Sequence, residues 1–226
     1  MDLMPRARGG RGRLVVIRGA LAPATAARWG TILEREILPA TKRLSIPIPA
    51  DAITRMRRNY SELLPKVTQV RTAALIGTKS RAMDAARRLG LYAMLRSPGV
   101  RAIAEEALGV PVGKRCGAQV FRYEAGDYQG PHNDYQPEEP TIARGYVDVQ
   151  VSVPSRHVAS QLLVYERDGQ LNQVVDVAHE PLIVVYVLPF WHHVTPLVPA
   201  AGAKAARAAN RWLLIGSFER GDDDAP

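Results

Sequence analysis

The clearest pattern in the chain is "YVDVQVSV", from Tyr146 to Val153. Valines at 147, 149, 151 and 153 alternate there with Tyr146, Asp148, Gln150 and Ser152. Strict period-two alternation puts the valines on one face of a β-strand and the polar set on the other. The alternation does not say whether that polar face meets water or lines a pocket. Other short runs share the β-branched and aromatic character: "AQVFRYE", "SQLLVYE", "NQVVDV", "PLIVVYVL" and "RWLLIGSF". Turn residues separate them, so the chain after Gly109 is predicted to form short strands throughout.

The first half has a different rhythm. "RLVVIRG" (13–19) predicts one short strand. "LAPATAARWGTILEREI" predicts a helix, with Pro23 in its first turn and Ala26, Trp29, Leu33 and Ile37 at helical spacing. "SRAMDAARRLGLYAMLRS" predicts a second helix. "SPGVRAIAEEALG" predicts a third, capped by Ser97, with Pro98 at its first position and Gly109 as its stop. The segment 41–79, with prolines at 47, 49 and 65, reads as irregular apart from a short helix over 51–63. Helices first and strands afterwards predict an α+β protein, with a sandwich or barrel at its C-terminal end. The mouth of such a barrel can hold a small ligand.

Composition narrows the setting. With 226 residues, 46% apolar and 23% charged, the chain can bury a sizeable core as one domain over 1–226. Its divisions are expected to be a flexible basic tail over 1–12, mainly helical support over 13–110 and a strand-rich part over 111–220. Cys116 is the only cysteine, which excludes an internal disulfide and suits a reducing cytoplasm. No run approaches the ~18 apolar residues of a membrane span. The opening "MDLMPRARGGRGRLVVI" has no apolar stretch of the secretory type, so a cytoplasmic protein without a membrane partner is expected. The net charge of +8 is spread along the chain, with a dense terminal group at Arg6, Arg8, Arg11 and Arg13 and a second group at Arg55, Arg57 and Arg58. It reads as a solvated basic surface more than as a nucleic-acid footprint.

The candidate chemistry lies in "GDYQGPHNDYQPEE" (126–139), where His132 and Asp134 stand two apart. In an extended segment both point to one face, and together they can grip a small ion. A third ligand is available in "LPFWHHVTPL", where His192 and His193 follow a strongly apolar strand. Two histidines and one carboxylate form the facial triad of non-haem Fe(II) oxygenases, which leaves open positions for co-substrate and O₂. "NRWLLIGSF" then places Arg211 at the head of the last predicted strand. Its planar fork can hold a carboxylate bidentately, as Lys cannot.

In "FRYEAGDYQGPHNDY", "HHVTP" and "NRWLLIGSF", taken in that order, the chain resembles the 2-oxoglutarate/Fe(II)-dependent dioxygenases, especially the prolyl-hydroxylase-like branch. The opening "LVVIRGALAPATAARWGTIL" is also similar to that family's first strand and helix. The resemblance implies N-terminal helices packed on a double-stranded β-helix, or jelly-roll. It implies Fe(II) held by His132, Asp134 and His192, the last because His-x-Val-x-Pro starts there. Arg211 matches the residue that pairs with the C5 carboxylate of 2-oxoglutarate, and Tyr123 a tyrosine that helps hold the same co-substrate. The implied reaction hydroxylates an unactivated C–H of an amino acid, peptide or small metabolite, consuming O₂ and releasing succinate and CO₂. Ascorbate can serve as an auxiliary reductant. "LVPAAGAKAARAA" lengthens the gap from His192 to Arg211 and makes Arg207 a rival for the carboxylate unless it is a surface excursion. A nucleic-acid demethylase of the same chemistry and a non-catalytic cupin-like metal-binding barrel are the competing readings. Neither the substrate's identity nor the oligomeric state is encoded in a readable way.

Overall fold

The computed structural model describes residues 14–48, 67–76, 80–109, 111–134 and 145–221. Strand β1 (Leu14–Arg18) leads into helix α1 (Pro23–Glu36), followed by β2 (Lys42–Pro47) and β3 (Val67–Ala74). Helices α2 (Arg81–Arg88), α3 (Leu91–Leu95) and α4 (Pro98–Leu108) come next. The strands then run β4 (Val112–Glu124), β5 (Tyr128–His132), β6 (Tyr146–Pro154), β7 (Val158–Ser160), β8 (Leu162–Arg167) and β9 (Gln170–Asp176). They continue as β10 (Leu182–Leu188), β11 (His192–Val194) and β12 (Val198–Pro199), with helix α5 (Ala203–Ala208) before β13 (Asn210–Arg220).

The main sheet is ordered β1-β10-β6-β13-β4-β3-β5-β11-β8-β9, with β2 paired to β3, and its pairings are antiparallel. One buried cluster joins Leu163 of β8 and Val194 of β11 to Tyr123, Val184, Tyr186 and Leu213 on the far strands of that order. The sheet is therefore folded over, β10-β6-β13-β4 forming one wall and β5-β11-β8-β9 the other, as in a jelly-roll.

The valine face of β6 is covered. Val147, Val149, Val151 and Val153 share a second cluster with Leu33 and Ile37 from the first helical segment and with Leu91, Leu95 and Ile103. Each buried aliphatic side chain there contributes roughly 1.5–3 kcal/mol relative to exposure. Glu34 fixes the docking of α1, accepting from Arg122 Nε and Trp212 Nε1, both at 2.7 Å. With helices against one face and the opposite wall across the other, the polar face of β6 is turned inward, and β6 is buried on both sides.

Helix ends follow their sequence signals. Pro23 opens α1, Ser97 Oγ accepts from the Val100 amide at 3.2 Å, and Gly109 ends α4 at φ 63°. Two expectations need correction. The segment read as irregular contains strands β2 and β3, and the proposed helix over 51–63 lies outside the described residues. β2 is almost wholly exposed, so burial never imposed an alternating pattern on it. The second helix is two, α2 and α3, because Gly90 takes a left-handed φ of 69° between them. Among the described residues, no helix is long and apolar enough to cross a membrane.

Candidate active site

β5 and β11 are neighbours, and His132 lies opposite His192 in their register. The chain thereby brings together two histidines sixty residues apart, with ring centroids 4.3 Å from one another. Each imidazole is oriented in the same way: Nδ1 meets the carbonyl two residues upstream, Gly130 at 2.7 Å for His132 and Phe190 at 2.9 Å for His192. A carbonyl only accepts, so that contact assigns the proton to Nδ1 and leaves Nε2 with its lone pair. Both Nε2 atoms face Asp134, His132 at 3.3 Å from Oδ1 and His192 at 3.5 Å from Oδ2. Burial and then the neighbouring His132 push His192 down to about 4, which keeps it neutral. Asp134 does not continue the strand. β5 ends at His132, and Asp134 has φ 53°, so a left-handed turn rather than extended alternation brings its carboxylate back to the rings.

These ligand atoms all lie within 4.8 Å of one another. They sit in a cavity of about 690 Å³ between the two walls. Arg211, 1% exposed, lines the same cavity. Its guanidinium lies 4.5 Å over the ring of Tyr123, the residue opposite it in the β13–β4 register. Arg211 Nε donates to Gln161 Oε1 at 2.6 Å and Nη1 to Ser152 Oγ at 3.3 Å, while Nη2 has no partner among the described residues. Burial pulls Arg211 down to about 10, and among the described residues no carboxylate is bonded to it. A desolvated guanidinium with a free N–H suits an anion, and two imidazoles with one carboxylate suit a divalent first-row metal. The residues present fit both groups.

The other candidates fall into place. His193 points away from the three-residue group, as strand alternation requires. Arg207 is exposed on α5, so the lengthened segment is a surface excursion carrying a short helix. The Tyr123 hydroxyl donates to Gln129 at 2.9 Å, and burial pushes it up to about 12. Trp212 packs under the helices, outside the cavity lining, and the exposed His179 and half-buried His157 also lie outside that lining.

Two contributors escape a reading of the sequence. Gln161 is fully buried and donates to the Asp127 and Thr195 carbonyls at 3.1 and 3.0 Å while accepting from Arg211. Asp127, also fully buried, receives both terminal nitrogens of Arg43 at 2.6 Å and the Glu124 amide at 2.9 Å. It secures the β4–β5 turn just before the His132 strand. The one available signal is a glutamine at the head of an apolar run, where an unpaired amide would be costly.

No family model and no curated protein matches the sequence. Solved structures match it over most of its length. A prolyl-4-hydroxylase from Pseudomonas putida aligns over 93% of this chain and 94% of its own at 15% identity, with a TM-score of 0.52. A 2OG-Fe(II) oxygenase family oxidoreductase from Burkholderia pseudomallei aligns over all of both chains at 12% identity and a TM-score of 0.56. The non-haem α-ketoglutarate-dependent epimerase SnoN of nogalamycin biosynthesis covers 93% of this chain with 78% of its own, at 16% identity and a TM-score of 0.58. The folded-over antiparallel sheet, with its two histidines and aspartate at the centre, is thus the fold of the 2-oxoglutarate/Fe(II) oxygenases, prolyl hydroxylases included.

Proposed function

We propose that the protein is a 2-oxoglutarate- and Fe(II)-dependent dioxygenase that hydroxylates an unactivated C–H of an amino acid, peptide residue or small metabolite. The observation that carries this reading is Arg211. A guanidinium 1% exposed, whose Nη2 has no partner among the described residues, lines the cavity that also contains the His132–Asp134–His192 group. A metal-binding barrel without a carboxylate co-substrate has no use for such a cation, and burying it unpaired costs several kcal/mol.

His132 and His192 would hold the iron through Nε2, and Asp134 through its carboxylate. Arg211 would receive the C5 carboxylate of 2-oxoglutarate, with Ser152 beside it and the Tyr123 ring beneath. Bound iron and co-substrate supply the oxygen-activating chemistry that converts 2-oxoglutarate and O₂ to succinate and CO₂ while the substrate is hydroxylated. The chain's own share is positioning and shielding. The two upstream carbonyls hold the imidazole protons on Nδ1 and fix the rings' orientation, so that both Nε2 atoms are turned toward the site. Gln161 fixes the angle of Arg211 through Nε, which leaves its terminal nitrogens for the carboxylate. Leu163, Val184, Val194 and Leu213 supply apolar wall that keeps water from the site.

The test combines spectroscopy with one pair of variants. Anaerobic Fe(II) plus 2-oxoglutarate should give the weak visible charge-transfer band of a chelated complex. Arg211→Ala should weaken 2-oxoglutarate binding by roughly tenfold or more while iron is retained, since losing one partner of a buried charge pair typically costs about 2–5 kcal/mol. Arg207→Ala should change little. Folded, iron-replete protein without the band would end the oxygenase reading.

A further inference from the structure

We propose that Asp148 anchors the substrate in this cavity, and that the substrate class it selects carries a protonated amine. This rests on the oxygenase reading and names its substrate. The inward side chains of β6 measure out the cavity. Ser152 accepts from Arg211 and marks the co-substrate end. Gln150 contacts the hydroxyl of Tyr186, whose ring lies 5.5 Å from that of His192, and so marks the level of the ligands. Asp148 is one step further on, roughly 13 Å along the strand from Ser152 at about 3.3 Å per residue. Its register partner is Tyr186, so it lies at the ligands' end of the cavity, away from Arg211, on the side where a substrate C–H must be presented.

Asp148 is 6% exposed and lines the cavity. Ser217 donates to its Oδ1 at 2.6 Å, whereas Oδ2 has only a long 3.4 Å contact from Gln150. Among the described residues, no Lys, Arg or His forms an ion pair with it. Among the described residues, the charge that acts on it through space is that of Asp134, which has the same sign. A buried carboxylate in that position is stabilised by an incoming cation and by little else. With Oδ1 engaged by Ser217, one oxygen remains. That suits the point charge of an ammonium better than a guanidinium, which pairs best with both oxygens of a carboxylate.

The test uses calorimetric titration of the protein loaded with Mn(II) and 2-oxoglutarate. The probes are n-butylamine, pyrrolidine and cyclohexylamine, each compared with its N-acetyl derivative. The amines should bind about tenfold tighter than the neutral amides, and Asp148→Asn should abolish the preference. Equal affinity of amine and amide, binding by neither, or a preference that survives in Asp148→Asn overturns the proposal. If the Asn variant fails to fold, read as loss of 2-oxoglutarate binding, the wild-type comparison decides by itself. Wild-type protein that binds no Mn(II) and 2-oxoglutarate sinks the oxygenase reading instead, a result separable from the loss of amine preference alone.

Discussion

His192 and His193 are chain neighbours with different surroundings. His192 is buried at 4% exposure beside His132, while His193 is half-buried and outside the ligand group. His192→Ala should therefore abolish iron retention and His193→Ala should preserve most of it, as metal analysis of the two purified variants will register. Iron lost only from the His193 variant would mean that the strand enters the site one residue later. Asp148 yields a prediction of another kind. Burial, and then the nearby Asp134 against the partial relief from Ser217, pushes its carboxyl up to about 7. A carboxyl raised on folding gives stability that is fully present below the unfolded value near 4 and lost as pH rises through about 7. Asp148→Asn should accordingly raise Tm by several degrees at about pH 8 and by little at about pH 4, measured by thermal unfolding. A residue that lowers stability at working pH and lines a binding cavity is the usual signature of function placed above stability.

At the scale of elements, the close approach of α3 to the sheet depends on Gly216. A Cβ at that position would lie 2.5 Å from the Leu95 carbonyl oxygen. Gly216→Val should cost about 1–3 kcal/mol by overpacking and lower Tm by several degrees. Gly30, inside α1, is the contrasting case: its added Cβ would meet only Val153 Cγ1 at 3.9 Å. Gly30→Ala should stabilise by about 0.5–1 kcal/mol in the same unfolding assay, because alanine is the better helix former. The elements also divide what a sequence can disclose. The shared placement of His132, Asp134, His192 and Arg211 in one cavity was legible because each sits in a short sequence pattern. The inward turn of Asp148 and Gln150 was not, since alternation defines two faces without saying what covers either. β2 was invisible for the opposite reason, as a strand with hardly any buried side chain carries no hydrophobic signature. Gln161 became meaningful only when the fold set it beside Arg211, fifty residues away.

For the molecule as a whole, the position of β13 has the widest effect. It is the last described strand in the chain, yet it lies in the interior of the main sheet, paired on one side with β6 and on the other with β4. A chain shortened to end before Asn210 should show no cooperative unfolding transition, whereas removal of residues 1–12 should leave one, both followed by circular dichroism. During synthesis on a ribosome, β4 and β6 must wait with their facing edges unpaired until the segment from 210 to 220 has left the exit tunnel, a delay of seconds at 5–20 residues per second. Over that interval the nascent chain carries two open strand edges, the features most prone to wrong pairing. The same strand carries Arg211, the arginine proposed to hold the co-substrate's carboxylate. Quality control in the cell can therefore treat a completed sheet and a competent site as the same event.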